Sequence, residues 1–89
     1  MEFAQNQIVV LRNGNVGVTA SFNGRAFQLI FAAYSCPVGR YNSDLKTKNS
    51  DYDVVEIFDG TGVENVTAVF KKGFKTDGLK SIWKREENG

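Results

Sequence analysis

Val16-Gly17-Val18-Thr19-Ala20-Ser21-Phe22-Asn23-Gly24-Arg25-Ala26-Phe27-Gln28-Leu29-Ile30-Phe31 sets an Asn-Gly pair between two alternating apolar runs. Asn-Gly is the favoured centre of a type I′ turn, because both central residues need positive φ, and a two-residue loop fixes the register of its hairpin. With Asn23-Gly24 as the turn, Phe22 faces Arg25, Ala20 faces Phe27, Val18 faces Leu29 and Val16 faces Phe31. Successive side chains point to opposite surfaces of a strand, so all eight share one face, which this reading makes the core.

Asn13-Gly14 repeats the device one strand earlier, and as a two-residue turn it adds Leu11 and Val9 to the same face. The predicted meander covers residues 8–12, 15–22 and 25–31. Residues 32–51, with Pro37, Gly39 and several Asn and Ser, read as a long connection holding one helical turn capped by Asn42. A fourth strand over 52–58 is apolar on both faces, which predicts cover on two sides. Thr61 with Glu64 forms a capping box, Val63, Val66 and Phe70 keep helical spacing, and Gly73 stands where a C′ glycine belongs. These signals predict a two-turn helix over 62–71. A last strand over 79–85 puts Leu79, Ser81 and Trp83 on one face. The sum is one domain over 1–89, mainly β: a five-stranded SH3-like small barrel with one short helix between strands four and five. Its predicted core has Trp83, Phe27, Leu29, Val18 and Ile57 buried and in mutual contact.

The chain has 89 residues, too few for more than one core, and is 42% hydrophobic with seven Phe, three Tyr and one Trp, too apolar for disorder. No apolar run is long enough for a membrane span, and the first residues lack the basic and apolar regions of a secretory signal. Cys36 is the single cysteine, which excludes an internal disulfide and points to the cytoplasm. The net charge is +1, which argues against a purely electrostatic grip on nucleic acid. The charges are segregated nonetheless. Acidic residues dominate 44–64, and Lys71, Lys72, Lys75, Lys80, Lys84 and Arg85 dominate 71–85.

Part of this pattern has a likeness elsewhere. Tyr41-Asn42-Ser43-Asp44-Leu45-Lys46-Thr47-Lys48 precedes Asp51-Tyr52-Asp53-Val54-Val55-Glu56-Ile57-Phe58, with Arg12-Asn13-Gly14 before them and Leu79-Lys80-Ser81-Ile82-Trp83-Lys84-Arg85-Glu86-Glu87 after. The arrangement resembles small uncharacterised proteins of Firmicutes phages, prophages and other mobile elements. The resemblance implies an SH3-like fold and a phage setting, hence the cytoplasm of a bacterial host. It assigns no catalytic residue. Residues 32–40 have no counterpart in that pattern.

The residues for catalysis are missing. The chain has no histidine, the commonest general base and metal ligand, so Cys36 lacks its usual activator and reads as a small residue packed beside Pro37. Asp51 with Asp53, and Glu56 with Asp59, read as structural or solvated carboxylates rather than an acid–base pair, and the acidic spacing does not follow a calcium loop. Asp59-Gly60-Thr61-Gly62 could offer N–H groups to a phosphate but lacks the lysine and length of a P-loop. The reading is a non-enzyme without metal or cofactor that binds a host protein, foremost as an inhibitor of an anti-phage defence system such as CRISPR. A nucleic-acid-binding barrel and a virion or scaffold component are the alternatives. Loops on a rigid sheet carry function, and Tyr and Arg are common interface anchors. The candidate partner-binding residues are therefore Tyr34, Arg40 and Tyr41, with Lys71, Lys72 and Lys75 as a second, electropositive contact.

Overall fold

The computed structural model describes residues 3–4, 6–20, 28–32, 34–61, 69–70 and 76–86. Six antiparallel strands form one sheet: β1 (Gln7–Leu11), β2 (Val16–Ala20), β3 (Gln28–Ile30), β4 (Ser35–Pro37), β5 (Val54–Asp59) and β6 (Ser81–Lys84), in the spatial order β4-β3-β2-β1-β5-β6. Each of the five predicted strands has a counterpart among the described residues, with bounds that differ from the prediction. The sixth, β4, arises inside the segment read as a loop, where Leu29 pairs with Cys36 and Gln28 with Pro37. Among the described residues β4 and β6 lie at opposite edges without pairing, so the sheet is open and the expected barrel closure is not seen. Proline suits the β4 edge, because it has no N–H to offer a further strand. The predicted helix over 62–71 falls almost wholly outside the described residues, as does the Asn23-Gly24 turn.

Both hairpins are offset by one residue from the predicted register. β1 pairs with β2 as Ile8↔Val18, Val9↔Gly17 and Val10↔Val16, and β2 pairs with β3 as Val18↔Ile30 and Thr19↔Leu29. Val18 and Leu29 therefore sit on opposite faces, and the expected single face of eight residues does not form. The first turn shows why. The Gly14 N–H donates to the Leu11 carbonyl at 2.9 Å, the Leu11 N–H donates to the Asn15 carbonyl at 2.9 Å, and Gly14 has φ +91°. This is a three-residue loop, a type I turn closed by a left-handed glycine, and its odd length shifts the register by one. The neighbouring segment holds this form: the Arg12 N–H donates to the Asp53 carbonyl and the Asn13 N–H to the Asp51 carbonyl.

Apolar residues cover both faces of the sheet. One face packs Val9, Leu11, Leu29, Phe31, Cys36, Leu45, Val54 and Ile57, with Phe3, Val38, Tyr41 and Trp83 partly buried against them. The other packs Ile8, Val18, Phe58 and Val69, with Val10, Val16, Ile30, Phe70 and Leu79 at its margin. The continuous run Ile8-Val9-Val10-Leu11 suits a strand covered on both sides. Val54 and Ile57 reach one face despite their odd spacing, because β1 pairs Val10 with Glu56 but Leu11 with Val54, which leaves Val55 as a bulge. A matching irregularity in β6 sets Trp83 opposite Ile57 and Ser81 opposite Phe58. Trp83 and Leu79 thus serve different faces, contrary to prediction. Trp83 joins Leu29 and Ile57 as expected but is only partly buried, with the Arg85 guanidinium 5.1 Å from its ring centroid. Val18 belongs to the other face, and Phe27 lies outside the described residues.

The chain leaves β4 through a 3-10 turn, Val38–Arg40, and reaches β5 through a second, Ser50–Tyr52. The helical turn expected at Asn42 is a single reverse turn: the Leu45 N–H donates to the Asn42 carbonyl, and the Asn42 side-chain oxygen accepts from the N–H groups of Asp44 and Lys46. Leu45 is left-handed at φ +60° yet buried in the core. No helix among the described residues is long and apolar enough to cross a membrane.

Candidate functional site

Residues 47–53 form a frame. Asp53 is 4% exposed, and its carboxylate accepts from the Thr47 N–H at 2.9 Å and from the Arg12 guanidinium at 2.9 Å. Burial pushes the Asp53 pKa up, but the Thr47 N–H, Arg12 and Arg85 outweigh it and hold the carboxyl below its usual value. Of the two expectations for Asp53, structural or solvated, the geometry shows the structural one. The side chain of Asn49 accepts from the Asp51 N–H and caps the turn that carries Tyr52. Tyr52, predicted as the first residue of a strand, therefore sits on a loop. Arg85 ties the same segment to β5 and β6 by donating to the carbonyls of Val54 and Asp44.

Residues 34–41 form the facing wall. The Phe31 N–H donates to the Tyr34 carbonyl at 2.8 Å, and the two rings stack with centroids 4.8 Å apart. That stack depends on Gly17: a Cβ there would lie 2.6 Å from the Phe31 ring and 2.8 Å from the Ile30 carbonyl oxygen. Arg40 ends the 3-10 turn and is exposed. The Tyr41 hydroxyl donates to the Tyr52 carbonyl at 2.8 Å, joining the two walls, and its ring meets Phe3 edge-on. Burial, then the neighbouring Cys36, Tyr34 and Asp53, push the Tyr41 phenol far above its ordinary value, so it stays a protonated donor. The Tyr34 phenol is raised too, chiefly by burial.

Between the walls opens a cleft of about 700 Å³ lined by Tyr34, Ser35, Cys36, Arg40, Tyr41, Thr47, Lys48, Asn49 and Tyr52. That volume lies in the range typical of ligand pockets. The structure thus brings together Tyr34, Arg40 and Tyr41, the three loop residues picked from sequence. It adds Lys48 and Tyr52, which sequence reasoning missed; the Asn49-Ser50-Asp51 run, an Asx-turn pattern, was the available signal that Tyr52 leaves the strand. Tyr34 and Tyr52 meet edge to face at 6.4 Å and remain 38% and 39% exposed. Lys71, Lys72 and Lys75 lie outside the described residues.

The other candidates resolve into structural roles. Cys36 is buried, and desolvation, only partly opposed by Arg40, pushes its thiol up, so it is un-ionised at neutral pH. Glu56 accepts from the Ser81 hydroxyl, and Asp59 accepts from the Thr61 N–H and hydroxyl. The Gly60 N–H donates to the Asn6 carbonyl. The Asp59 N–H donates to the Lys80 carbonyl, so the three described N–H donors of the Asp59-Gly60-Thr61-Gly62 turn are used internally rather than offered to a phosphate. Compared with protein-family models, curated proteins and solved structures, the chain finds no match in any of the three.

Proposed function

We propose that this protein is a non-enzymatic recognition domain of phage or mobile-element origin. It acts in the cytoplasm of a bacterial host by seating part of a host protein in the Tyr34–Arg40–Tyr41 cleft. The observation that carries the reading is the convergence of three tyrosines and two cations on one cleft between loops braced by a rigid sheet. Exposed Tyr and Arg in a concave surface are the residue types that dominate binding energy at protein interfaces. The phage setting comes from the sequence resemblance, and it makes a component of an anti-phage defence system, CRISPR among them, the host protein to test first.

The same aromatic and basic groups also suit stacked bases beside a charged backbone, which supports single-stranded nucleic acid as a second reading. The two separate in one experiment. Tagged protein is used to capture partners from bacterial lysate with and without nuclease, beside a Tyr34→Ala/Arg40→Ala variant that remains folded. One stable protein that survives nuclease and is lost with the variant supports the proposal. Capture that disappears with nuclease supports nucleic acid, and capture indifferent to the variant rules out the cleft.

A further inference from the structure

Resting on that reading, we infer that the cleft receives an acidic segment of its protein partner, with carboxylates toward Arg40 and Lys48 and an apolar or aromatic side chain against Tyr34 and Tyr52. No Asp or Glu is found among the described residues that line the cleft, whereas Arg40 and Lys48 both line it. Asp53, the buried carboxylate next to Tyr52 in sequence, is already committed to an ion pair with Arg12. In the free protein an exposed, unpaired cation costs little, because water solvates it. Once a partner covers the cleft, that water leaves, and a cation without a counter-charge becomes strongly unfavourable. A well-bound partner must therefore bring carboxylates.

The apolar half of the inference comes from exposure. Tyr34, Tyr52 and Ile82 are the exposed large hydrophobic residues among those described, and two of the three lie in this cleft. Tyr34 is already backed by Phe31, and Tyr41 is fixed by its bond to Tyr52, so the aromatic surface is organised before binding.

The test uses the full chain and three fluorescein-labelled probes: an acidic nonapeptide with a central Phe, the same peptide with Lys for each Asp and Glu, and an oligo-dT strand. Fluorescence anisotropy should show the acidic peptide binding at least about tenfold more tightly than the basic one, and weakening as salt is raised. Arg40→Glu with Lys48→Glu should abolish the preference, while Tyr34→Ala should weaken binding and leave its salt dependence unchanged. Equal binding of the two peptides, failure of the acidic peptide to bind below about 1 mM, or tighter binding of the oligonucleotide overturns the inference. The captured partner distinguishes this failure from that of the function itself. If Tyr34→Ala releases the partner and the charge-reversed variant keeps it, the cleft still binds protein and the acidic-segment inference alone falls.

Discussion

The two walls of the cleft use their polar groups in opposite ways. Along 42–53, side chains are turned inward on the chain: Asn42 caps two N–H groups, Asn49 caps a third, and Asp53 holds both the Thr47 N–H and Arg12. Along 34–41, the backbone is held by the pairing of β4 with β3 and by the Phe31–Tyr34 stack. Arg40 makes no hydrogen bond or ion pair among the described residues, and Tyr34, though stacked on Phe31 and hydrogen-bonded to Asn15, stays 38% exposed. On the proposed function, the difference separates structure from recognition. A polar group that satisfies its neighbours builds the loop, and one left uncommitted beside a cavity is available to a partner. Lys48 marks the boundary, being an exposed cation without an ion pair among the described residues, carried on the inward-turned wall.

The largest effect should follow from attacking what anchors the first wall. Leu45→Ala removes a side chain that is 2% exposed, from a residue held in a left-handed backbone conformation. Urea unfolding should show a loss of about 2–5 kcal/mol. A change under 1 kcal/mol would mean that the hydrogen-bonded frame holds the loop without the core.

The second wall has its own weak point in the sheet. Gly17→Ala puts a methyl group into the Phe31 ring and the Ile30 carbonyl, so we expect a loss of about 1–3 kcal/mol. Because Phe31 backs Tyr34, partner binding should fall with it, even under conditions where the variant is fully folded. Intact binding would show that Tyr34 keeps its place without the stack.

Asp53→Asn tests the frame through pH. The carboxyl is held below its ordinary value in the folded protein, so its ionised form contributes stability above the unfolded carboxylate pKa, and that contribution is lost as pH falls through the lower folded value. At neutral pH the variant should be less stable by about 1–3 kcal/mol, since Arg12 and the Thr47 N–H lose an ionised acceptor. The gap from wild type should close only as the solution is acidified below the ordinary carboxylate value. A gap constant from neutral to acid pH would remove Asp53 from the frame.

Smaller still is the tie between the walls. Tyr41→Phe loses the bond to the Tyr52 carbonyl and should cost about 0.5–1.5 kcal/mol in urea unfolding, with weaker partner binding as Tyr52 is freed. The smallest change in stability, within about 0.5 kcal/mol, is expected for Arg40→Ala with Lys48→Ala, since both side chains are exposed. Those same two substitutions should produce the largest loss of binding. If they destabilise the fold instead, the contrast between the walls is wrong.

How much of this was legible in the sequence follows from the range of the forces involved. Local chemistry determined the β character, the approximate positions of every strand but β4, and the loop worth inspecting. Alternation, Asn-Gly pairs and Pro37 act over a few residues, and Tyr34, Arg40 and Tyr41 stood out because their residue types suit recognition. Register was another matter. Asn-Gly fits the centre of a two-residue turn, yet it equally supplies the last two residues of a three-residue loop, and the choice was made by Asp51 and Asp53, which bond Arg12 and Asn13 from about forty positions away. Apolar residues on both faces removed the penalty that would have exposed the error, because a slip of one residue exchanges one buried face for the other. Tyr52 and Lys48 were likewise invisible as site residues. Only the closure of Asp53 onto Arg12, and of Tyr41 onto the Tyr52 carbonyl, folds their loop across the cleft. Those are contacts between distant segments, and no local propensity encodes them.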